Sequence, residues 1–103
     1  MRELRFHPEA RVELVEAIVY HEAARAGYGA KFEAEVEALV ARILELPESG
    51  APLSGYPPQF DVRAYRLPSF RYSLLVADVD GERIVYAVAH QRRRPGYWRD
   101  RIR

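Results

Sequence analysis

The sequence predicts an α+β fold in which a helical hairpin packs on a mostly antiparallel four-stranded sheet, in the order β-α-α-β-β-β. Three observations predict this class. A short alternating segment opens the chain, two segments with helical spacing of apolar residues follow, and three alternating segments occupy the second half. At 103 residues and without an internal repeat, the chain is expected to form a single domain over residues 1–103.

The first strand and the start of the first helix are predicted from the opening residues. From Arg2 to His7 the sequence alternates, with Leu4 and Phe6 on the same face, as in a half-buried strand. Pro8 suits the first turn of a helix, where the missing N–H has no partner to lose. We therefore expect the strand to lead directly into a helix.

The first helix is expected to extend to about Arg25, because glycines follow at positions 27 and 29. Its apolar residues form two arcs, one of Val12, Val15, Val19 and Ala23 and the other of Ala10, Leu14, Ala17 and Ile18. A helix that is apolar on two sides usually contacts two neighbours. These are expected to be the sheet and either the second helix or a partner protein.

The second helix has one clear apolar stripe and a clear end. The stripe consists of Phe32, Val36, Leu39, Val40 and Ile43, at the spacing of one helical face. Pro47 ends the helix. Residues 49–60 contain three prolines and two glycines, so we expect an ordered loop without regular structure.

The last three strands are predicted at Val62–Leu67, Arg71–Asp78 and Glu82–His90. An Asp-Gly pair between the last two indicates a tight hairpin. Strict alternation in the final strand would place Ile84, Tyr86, Val88 and His90 on one face and Val85, Ala87 and Ala89 on the other.

Composition and charge exclude some functional classes and favour others. There is no cysteine, which excludes disulfides and Cys-ligated zinc. No signal-peptide run opens the chain, and the longest uncharged run is rich in Pro and Gly, so a cytoplasmic protein is expected. Residues 1–50 carry six basic against ten acidic residues (−4), whereas residues 51–103 carry ten against five (+5). A basic C-terminal surface for an anionic or acidic partner is expected.

Residues at the ends of the last three strands are the candidates for chemistry. If the strands are neighbours, Arg66 or Arg63 would converge with Arg71, His90 and Arg92 at one end of the sheet. Such a group suits RNA cleavage, since His can transfer protons near neutral pH and Arg can stabilise a charged phosphate. The alternatives are a structural histidine, and a solvated arginine run or a contact for an acidic protein segment.

Alternation that continues beyond the last strand assigns the side chains of the segment AHQRRRPGYW to faces. It predicts that Arg92 and Arg94 share a face with His90, while Arg93 is structural and pairs with a helix carboxylate such as Glu16 or Glu22. Pro95 and Gly96 would turn the chain back towards the sheet. Trp98 is then the better core residue, and Tyr97 would keep its hydroxyl free for the site. The other helix carboxylates, including Glu13, look like ordinary surface groups, and His21 is expected on a helix surface.

Three stretches carry a resemblance to a known family: FHPEARVELVEAIVYHEAARAGYGAKF, YRLPSFRYSLLV and IVYAVAHQRRRPGYW. They resemble the RelE/ParE superfamily of bacterial type II toxin–antitoxin toxins, also called plasmid stabilisation proteins. The likeness covers nearly the whole chain. It implies a small toxin that a cognate antitoxin wraps and neutralises, with no cofactor and no metal. The resemblance also implies that the chain forms a hetero-oligomer with this antitoxin.

The resemblance implies two alternative activities. RelE-like members cleave mRNA on the ribosome. Arg71 and Arg92 match two arginines of that activity, Arg66 stands where a lysine often lies, and Tyr97 or Trp98 occupies the C-terminal aromatic position. If the chain is a nuclease, the expected catalytic residues are therefore these two arginines and Tyr97, together with His90.

ParE-like members inhibit DNA gyrase. For either activity, the residues expected to bind the nucleic acid or the protein target are Arg63, Arg66, Arg94 and Trp98. RelE-like members often carry a pair of lysines, and the second of them would fall near Ala64, so this chain lacks it. The AVAH-x-R-R ending is more similar to the ParE-like branch. Gyrase inhibition is therefore the first expectation. A non-toxic member that only binds its partner is a third alternative.

Overall fold

The computed structural model describes residues 4–102, in which two helices pack on one face of a five-stranded sheet. The elements are β1 (Arg5–Phe6), α1 (Pro8–Ala24), α2 (Tyr28–Glu45), β2 (Ala51–Pro52), β3 (Arg63–Arg66), β4 (Tyr72–Val79) and β5 (Glu82–His90). Short 3-10 turns occupy Pro47–Ser49, Pro58–Phe60 and Arg99–Arg101. The predicted α+β class, with a helical hairpin on a mostly antiparallel sheet, is confirmed.

The strand order is β1-β5-β4-β3-β2, with β1 parallel to β5 and the other pairs antiparallel. The strand β2 was not predicted, since its segment was expected to be a loop. It pairs with β3 through Ala51↔Ala64 and Pro52↔Arg63. Two paired residues are too few to leave an alternating pattern, and a proline is tolerated there because β2 is an edge strand. The sheet therefore has five strands, where four were expected.

The predicted first strand and helix start are confirmed for the described residues, whereas Arg2 lies outside them. Leu4 is buried, and the exposed Arg5 forms an ion pair with Glu82 at the neighbouring end of β5. His7 is the N-cap of α1, and its Nδ1 accepts a hydrogen bond from the Glu9 amide at 3.1 Å. The cap supplies one of the acceptors that the first turn of a helix lacks.

The helical hairpin is closed by a tight approach between its two helices. A Cβ atom at Gly29 would lie 2.8 Å from the carbonyl oxygen of Ile18, so only glycine fits at this crossing. The arc of α1 that contains Ala10, Leu14 and Ala17 is buried against both α2 and the sheet. One arc thus makes both contacts, so the expectation that the second helix takes the other arc is wrong, and the alternative that a partner protein takes it stays a prediction. The valine arc is left exposed.

The β4–β5 hairpin has the predicted Asp-Gly turn but not the predicted faces. Asp80 and Gly81 have φ of 54° and 80°, the left-handed pair that a type I′ turn requires. The register shifts between Leu75↔Ala87 and Val76↔Val85, which leaves Tyr86 without an opposite residue. This β-bulge reverses the alternation of side chains along β5.

Because of the bulge, a single alternation of faces does not describe the whole of β5. The predicted face assignment is therefore wrong for the residues on one side of the bulge. Val85 and Val88 both belong to the core beneath the helices, whereas Tyr86 and Ala87 both belong to a second core on the other face. His90 follows Val88 at a spacing of two, and it therefore lies on the helix side. The site residues at the end of β5 take their orientation from this irregularity.

The second core is closed by the C-terminal segment. Gly96 has φ of 78°, and the Tyr97 amide donates to the Arg94 carbonyl at 3.1 Å, so the chain turns back as predicted. Trp98 is 1% exposed and stacks on Tyr56 with ring centroids 5.4 Å apart. The prediction that Trp98 is a core residue is confirmed. That burial also leaves it almost no surface with which to contact a target.

Candidate functional site

A cleft of about 210 Å³ opens between α1 and the C-terminal end of β5. Its lining combines aromatic, acidic and basic groups: Glu13, Glu16, Ala17, Tyr20, Tyr72, Val88, His90, Arg93 and Tyr97. The helix supplies the acidic wall, and the strand end with the following turn supplies the histidine and the arginine. Two of the predicted site residues, His90 and Tyr97, line this cleft together with other ionisable groups.

The aromatic side of the cleft is built by the register of the sheet. Tyr72 pairs with His90 across β4 and β5, and their rings meet edge to face with centroids 4.9 Å apart. Behind them, the His21 ring lies 5.6 Å from Tyr72 and stacks on Phe32 at 5.4 Å. The His90 ring is therefore held against a packed aromatic cluster and not in a mobile loop.

The turn after β5 decides which arginine joins His90. The Arg93 amide donates to the His90 carbonyl at 3.0 Å, which closes a tight turn directly after the strand. The Arg93 guanidinium then lies over the Tyr97 ring, 4.0 Å from its centroid, and lines the cleft. Alternation cannot continue through a turn, so the prediction that Arg92 shares the face of His90 is wrong. Arg93 takes that place.

Arg92 contributes its backbone to the site. Its amide donates to Nδ1 of His90 at 3.0 Å. In the neutral imidazole this bond places the ring proton on Nε2. Among the described residues, neither Arg92 nor Arg71 lines the cleft, although the Arg71 carbonyl accepts from the Gln91 amide at 2.9 Å. The predicted pairing of Arg93 with a helix carboxylate is also wrong, because its guanidinium stacks on Tyr97.

A buried ion pair closes the other side of the cleft. The Glu13 carboxylate accepts two hydrogen bonds from the Arg101 guanidinium, at 3.0 and 2.9 Å. It also accepts from the Tyr97 hydroxyl and from the Val88 amide, each at 2.9 Å. Arg101 donates further to the Tyr86 carbonyl at 2.9 Å. The two charged side chains are only 13% and 11% exposed.

The irregular strand explains why this pair lies there. β1 pairs with β5 at Ile84 and Val85, and the part of β5 after the bulge has no described strand on that side. The Val88 amide and the Tyr86 carbonyl face outward there and need partners, since buried backbone groups are rarely left unpaired. Glu13 and Arg101 supply an acceptor and a donor in place of a strand. The C-terminal segment is thereby tied to α1.

This network engages the hydroxyl of Tyr97, one of the predicted catalytic residues. Burial raises the pKa of Tyr97 far above its ordinary value, and the hydrogen bond to the Glu13 carboxylate raises that pKa further. The same hydrogen-bonded carboxylate raises the pKa of Arg101. Tyr97 therefore stays neutral and its proton points into a buried carboxylate. The expectation that its hydroxyl is free for the site is wrong.

His21 is a second residue whose prediction fails. It was expected on a helix surface, but its Nε2 is buried without a hydrogen-bond partner in the described structure. Burial lowers the pKa of His21, and the nearby His90 lowers that pKa further. The aromatic surroundings thus favour a neutral ring. Its role is to pack the helical hairpin against the site.

The predicted target-binding arginines divide into bound and exposed groups. Arg63 is occupied, because it forms an ion pair with Asp61 at 2.9 Å and donates to the carbonyls of Glu48 and Gly50. It braces the loop before β2. Arg66 is exposed on β3, and Arg94 is exposed at the rim of a second cavity of about 370 Å³ below the sheet.

The ladder brings part of the predicted constellation to one end of the sheet. Arg66 pairs with Ser73, and Tyr72 pairs with His90, so Arg66, Arg71 and His90 belong to the same end. Arg63 pairs with Val76, further along the sheet. Exposed arginines therefore surround, at this end of the sheet, the cleft that is lined by His90 and aromatic side chains.

Comparison with known families decides the classification. The sequence model of the family described as "ParE toxin of type II toxin-antitoxin system, parDE" matches residues 4–95. This chain belongs to the ParE toxin family. The match spans the helical hairpin, the whole sheet and the three consecutive arginines, and it ends before Tyr97 and Arg101. No individual curated protein gives a significant match to this ParE-family toxin.

Two further observations concern partners and ligands of this ParE-family toxin. In the part of the chain that the structure describes, no helix is both long and apolar enough to cross a membrane. Within residues 4–102, no group of three or more His, Cys, Asp or Glu side chains has the arrangement of a metal site.

Glu13 is the site residue that sequence reasoning missed. On a helical projection it lies beside Ala10 and Ala17, at the edge of the arc that proved to be buried. A carboxylate at such a position indicates a buried partner, and this signal was available in the sequence. Its partner Arg101 lies 88 residues further along the chain and carries no comparable signal.

Proposed function

We propose that this ParE-family toxin arrests growth by binding and inhibiting DNA gyrase in the cytoplasm. The observation that carries the proposal is the match to the ParE family over residues 4–95. The hydrogen bond of Tyr97 to Glu13 supports it, because the hydroxyl is engaged by a carboxylate of the chain itself and is not free to transfer a proton to a substrate. A binding mechanism does not require a free hydroxyl there.

The surface proposed to contact the target is the basic end of the sheet. Arg71, Arg92 and Arg94 are exposed there, and in the described structure no ion pair occupies any of them. Exposed arginines offer paired donors to carboxylates or phosphates of a partner. They supply positive charge in a chain whose N-terminal half is acidic.

A RelE-like ribonuclease remains the second candidate, for one specific reason. His90 and Arg93 line the same open cleft, so a proton-transfer group and a cation are available together. In that mechanism His90 would transfer a proton and Arg93 would stabilise the phosphate. The third candidate is a member without toxicity that binds only its antitoxin.

One set of assays separates these candidates. Purified toxin is tested for inhibition of gyrase supercoiling and for cleavage of ribosome-bound mRNA, with Arg71→Ala, Arg92→Ala and His90→Ala beside the wild type. The gyrase proposal expects loss of inhibition in the two arginine variants and no RNA cleavage. Arg25→Ala, at the far tip of the helical hairpin, is the matched control for charge removal.

The outcomes point in different directions. RNA cleavage that falls about a hundredfold or more in His90→Ala would support the nuclease instead, since general acid–base catalysis contributes on this scale. Wild-type protein that neither blocks supercoiling nor cleaves RNA, and that does not arrest growth on expression, would contradict both mechanisms.

We further propose that a cognate antitoxin covers the exposed valine arc of α1. Val12, Val15 and Val19 are 54%, 52% and 62% exposed, and Tyr20 beside them is 66% exposed. An apolar stripe on a helix surface is a typical docking site for an amphipathic helix. The antitoxin is expected to lay such a helix along this stripe.

The stripe is tested with Val15→Asp, which places a charge on the proposed interface without entering the core. Co-expression with the product of an adjacent small gene should yield a complex with the wild type and not with the variant. The control is Ala34→Asp, an exposed position on α2. Equal complex formation by both variants would exclude α1 as the antitoxin surface.

A further inference from the structure

The second core, on the face of the sheet opposite to the helices, ends in a pocket. Trp98 and Tyr56 belong to this core and stack on each other with ring centroids 5.4 Å apart. Beyond them Ser73 pairs with Ala89 across β4 and β5, and both are half-buried. Their side chains are small, and a cavity of about 370 Å³ remains beside them. The second core is therefore incompletely covered at the end of the sheet that carries the exposed arginines.

We call this cavity the sheet pocket, and its main lining residues are Leu53, Ser73, Leu75, Ala89, Gln91 and Arg94. Alternation places Ser73 and Ala89 in its floor, because Leu74 and Val88 next to them lie in the core beneath the helices. Leu53 and Leu75 add aliphatic surface from the second core. The floor is thus built by the sheet itself and is apolar apart from one hydroxyl.

The walls of the sheet pocket are held by main-chain hydrogen bonds. On one side the Leu53 amide donates to the Val62 carbonyl at 2.9 Å. On the other side the Tyr97 amide donates to the Arg94 carbonyl at 3.1 Å, which closes the turn that leads to the buried Trp98. The pocket is therefore preformed, and a ligand would not have to order it.

The rim of the sheet pocket is positively charged. Arg94 is exposed, and in the described structure it takes part in no ion pair. Arg93 lies beside it, and among the described residues no acid lines the pocket. An apolar group that enters the pocket would therefore bind best with a carboxylate next to it, since an arginine can donate two parallel hydrogen bonds to that carboxylate.

The lining favours a protein side chain over a nucleobase. Unpaired bases bind mainly by stacking on aromatic rings. Here Trp98 is 1% exposed, and the Arg93 guanidinium covers the Tyr97 ring at 4.0 Å from its centroid. The open part of the floor is aliphatic. Its volume lies near the lower end of the range of roughly 300–1,000 Å³ for ligand pockets, which suits one large side chain.

We propose that the sheet pocket binds one large apolar side chain of the toxin's protein target, and that Arg94 binds an acidic residue next to it in the target sequence. Single apolar side chains buried in a pocket carry much of the affinity of protein interfaces. This inference rests on the proposed function and deepens it, because it states which chemical feature of the target is recognised. The pocket lies on the sheet face opposite to α1, so the proposed antitoxin stripe does not border it.

The direct test uses three synthetic heptapeptides. The first has one phenylalanine between two pairs of aspartates, the second replaces phenylalanine by alanine, and the third replaces the aspartates by lysines. Each is titrated into the full chain labelled with nitrogen-15, and amide shifts are followed by NMR. The first peptide should give saturable shifts at Ser73, Ala89 and Gln91. The other two should give none there.

Two variants then locate the contact. Ser73→Leu fills the floor and should weaken the first peptide by about tenfold or more, because the buried position for the phenylalanine is lost. Arg94→Gln should weaken it by about threefold or more, since an exposed charge pair contributes less. The matched controls are Ser69→Leu and Arg25→Gln, both at exposed positions away from the pocket. If the melting curve of Ser73→Leu is shifted, Ala89→Val takes its place as a smaller addition to the same floor.

The same variants are tested for inhibition of gyrase supercoiling, where Ser73→Leu should also lose about tenfold in potency. The pocket proposal is overturned if the first peptide gives no saturable shift, if the alanine peptide binds equally, or if both pocket variants bind and inhibit as their controls do. It is also overturned if a single-stranded oligothymidylate shifts these amides and the peptide does not. If the wild type fails to inhibit gyrase, the proposed function is wrong, and the peptide titration alone then decides whether the pocket recognises this feature.

Discussion

Removal of the Glu13 carboxylate should strongly destabilise this toxin. Glu13→Ala deletes the acceptor of four hydrogen bonds and leaves the guanidinium of Arg101, only 11% exposed, with the exposed Glu9 at 3.8 Å as its remaining counter-charge. The expected cost is about 3 kcal/mol, the lower end of the range for breaking a buried ion pair on one side, because the remaining charge is largely shielded from water. For a chain of this length, that loss lowers the melting temperature by about 12 °C or more.

The measurement is thermal and urea unfolding of the purified protein, with two comparison variants. Glu9→Ala removes an acid on the same helix that lies 3.8 Å from Arg101 but is 67% exposed, so its cost should stay below about 1 kcal/mol. Adding Arg101→Met to Glu13→Ala removes this largely buried charge and should restore roughly 1–3 kcal/mol. The reasoning is refuted if the two glutamate variants melt alike, or if Arg101→Met restores nothing.

Two other predictions follow from the packing. The folded state holds the pKa of His21 below its ordinary value of about 6.5, so the unfolded chain gains a proton first and the free energy of unfolding should fall as pH drops through that value. His21→Phe should reduce this pH dependence in unfolding curves recorded between about pH 8 and pH 5, and an unchanged slope would contradict the assignment. Trp98→Ala should cost about 3–5 kcal/mol, since the indole is 1% exposed in the second core; the check is a melting curve, in which a shift no larger than that of an exposed control, Tyr20→Ala, would disprove its structural role.

Much of the fold followed from residues that are close in the chain. The stripe of α2 and the stop at Pro47 are local signals, and α2 ends at Glu45. Asp80 and Gly81 specify a turn whose left-handed backbone other residues would strain, and the hairpin forms there. Such features are encoded within a few positions, so periodicity and turn chemistry were enough to predict them.

The candidate site followed from the sequence only in part. The residue types were found, since His90 does lie in a cleft with an arginine and aromatic rings. The partners were not predicted. The turn after β5 places Arg93, and not Arg92, beside His90, and the Tyr97 hydroxyl donates a hydrogen bond to Glu13. Alternation describes a regular strand, and it fails where a turn or a bulge interrupts that strand.

The sequence by itself determined the order of the two helices and of four of the five strands, the family resemblance and the basic end of the sheet, because each depends on residue types and local spacing. Only the tertiary structure decided that β1 pairs in parallel with β5, that Tyr86 bulges, and that Glu13 meets Arg101 across 88 positions. The physical reason is that packing of the whole chain leaves some backbone groups unpaired. Those groups need side-chain partners, which can come from distant positions in the sequence. A bulge creates such groups, and the side chains that satisfy them are specified by the fold as a whole.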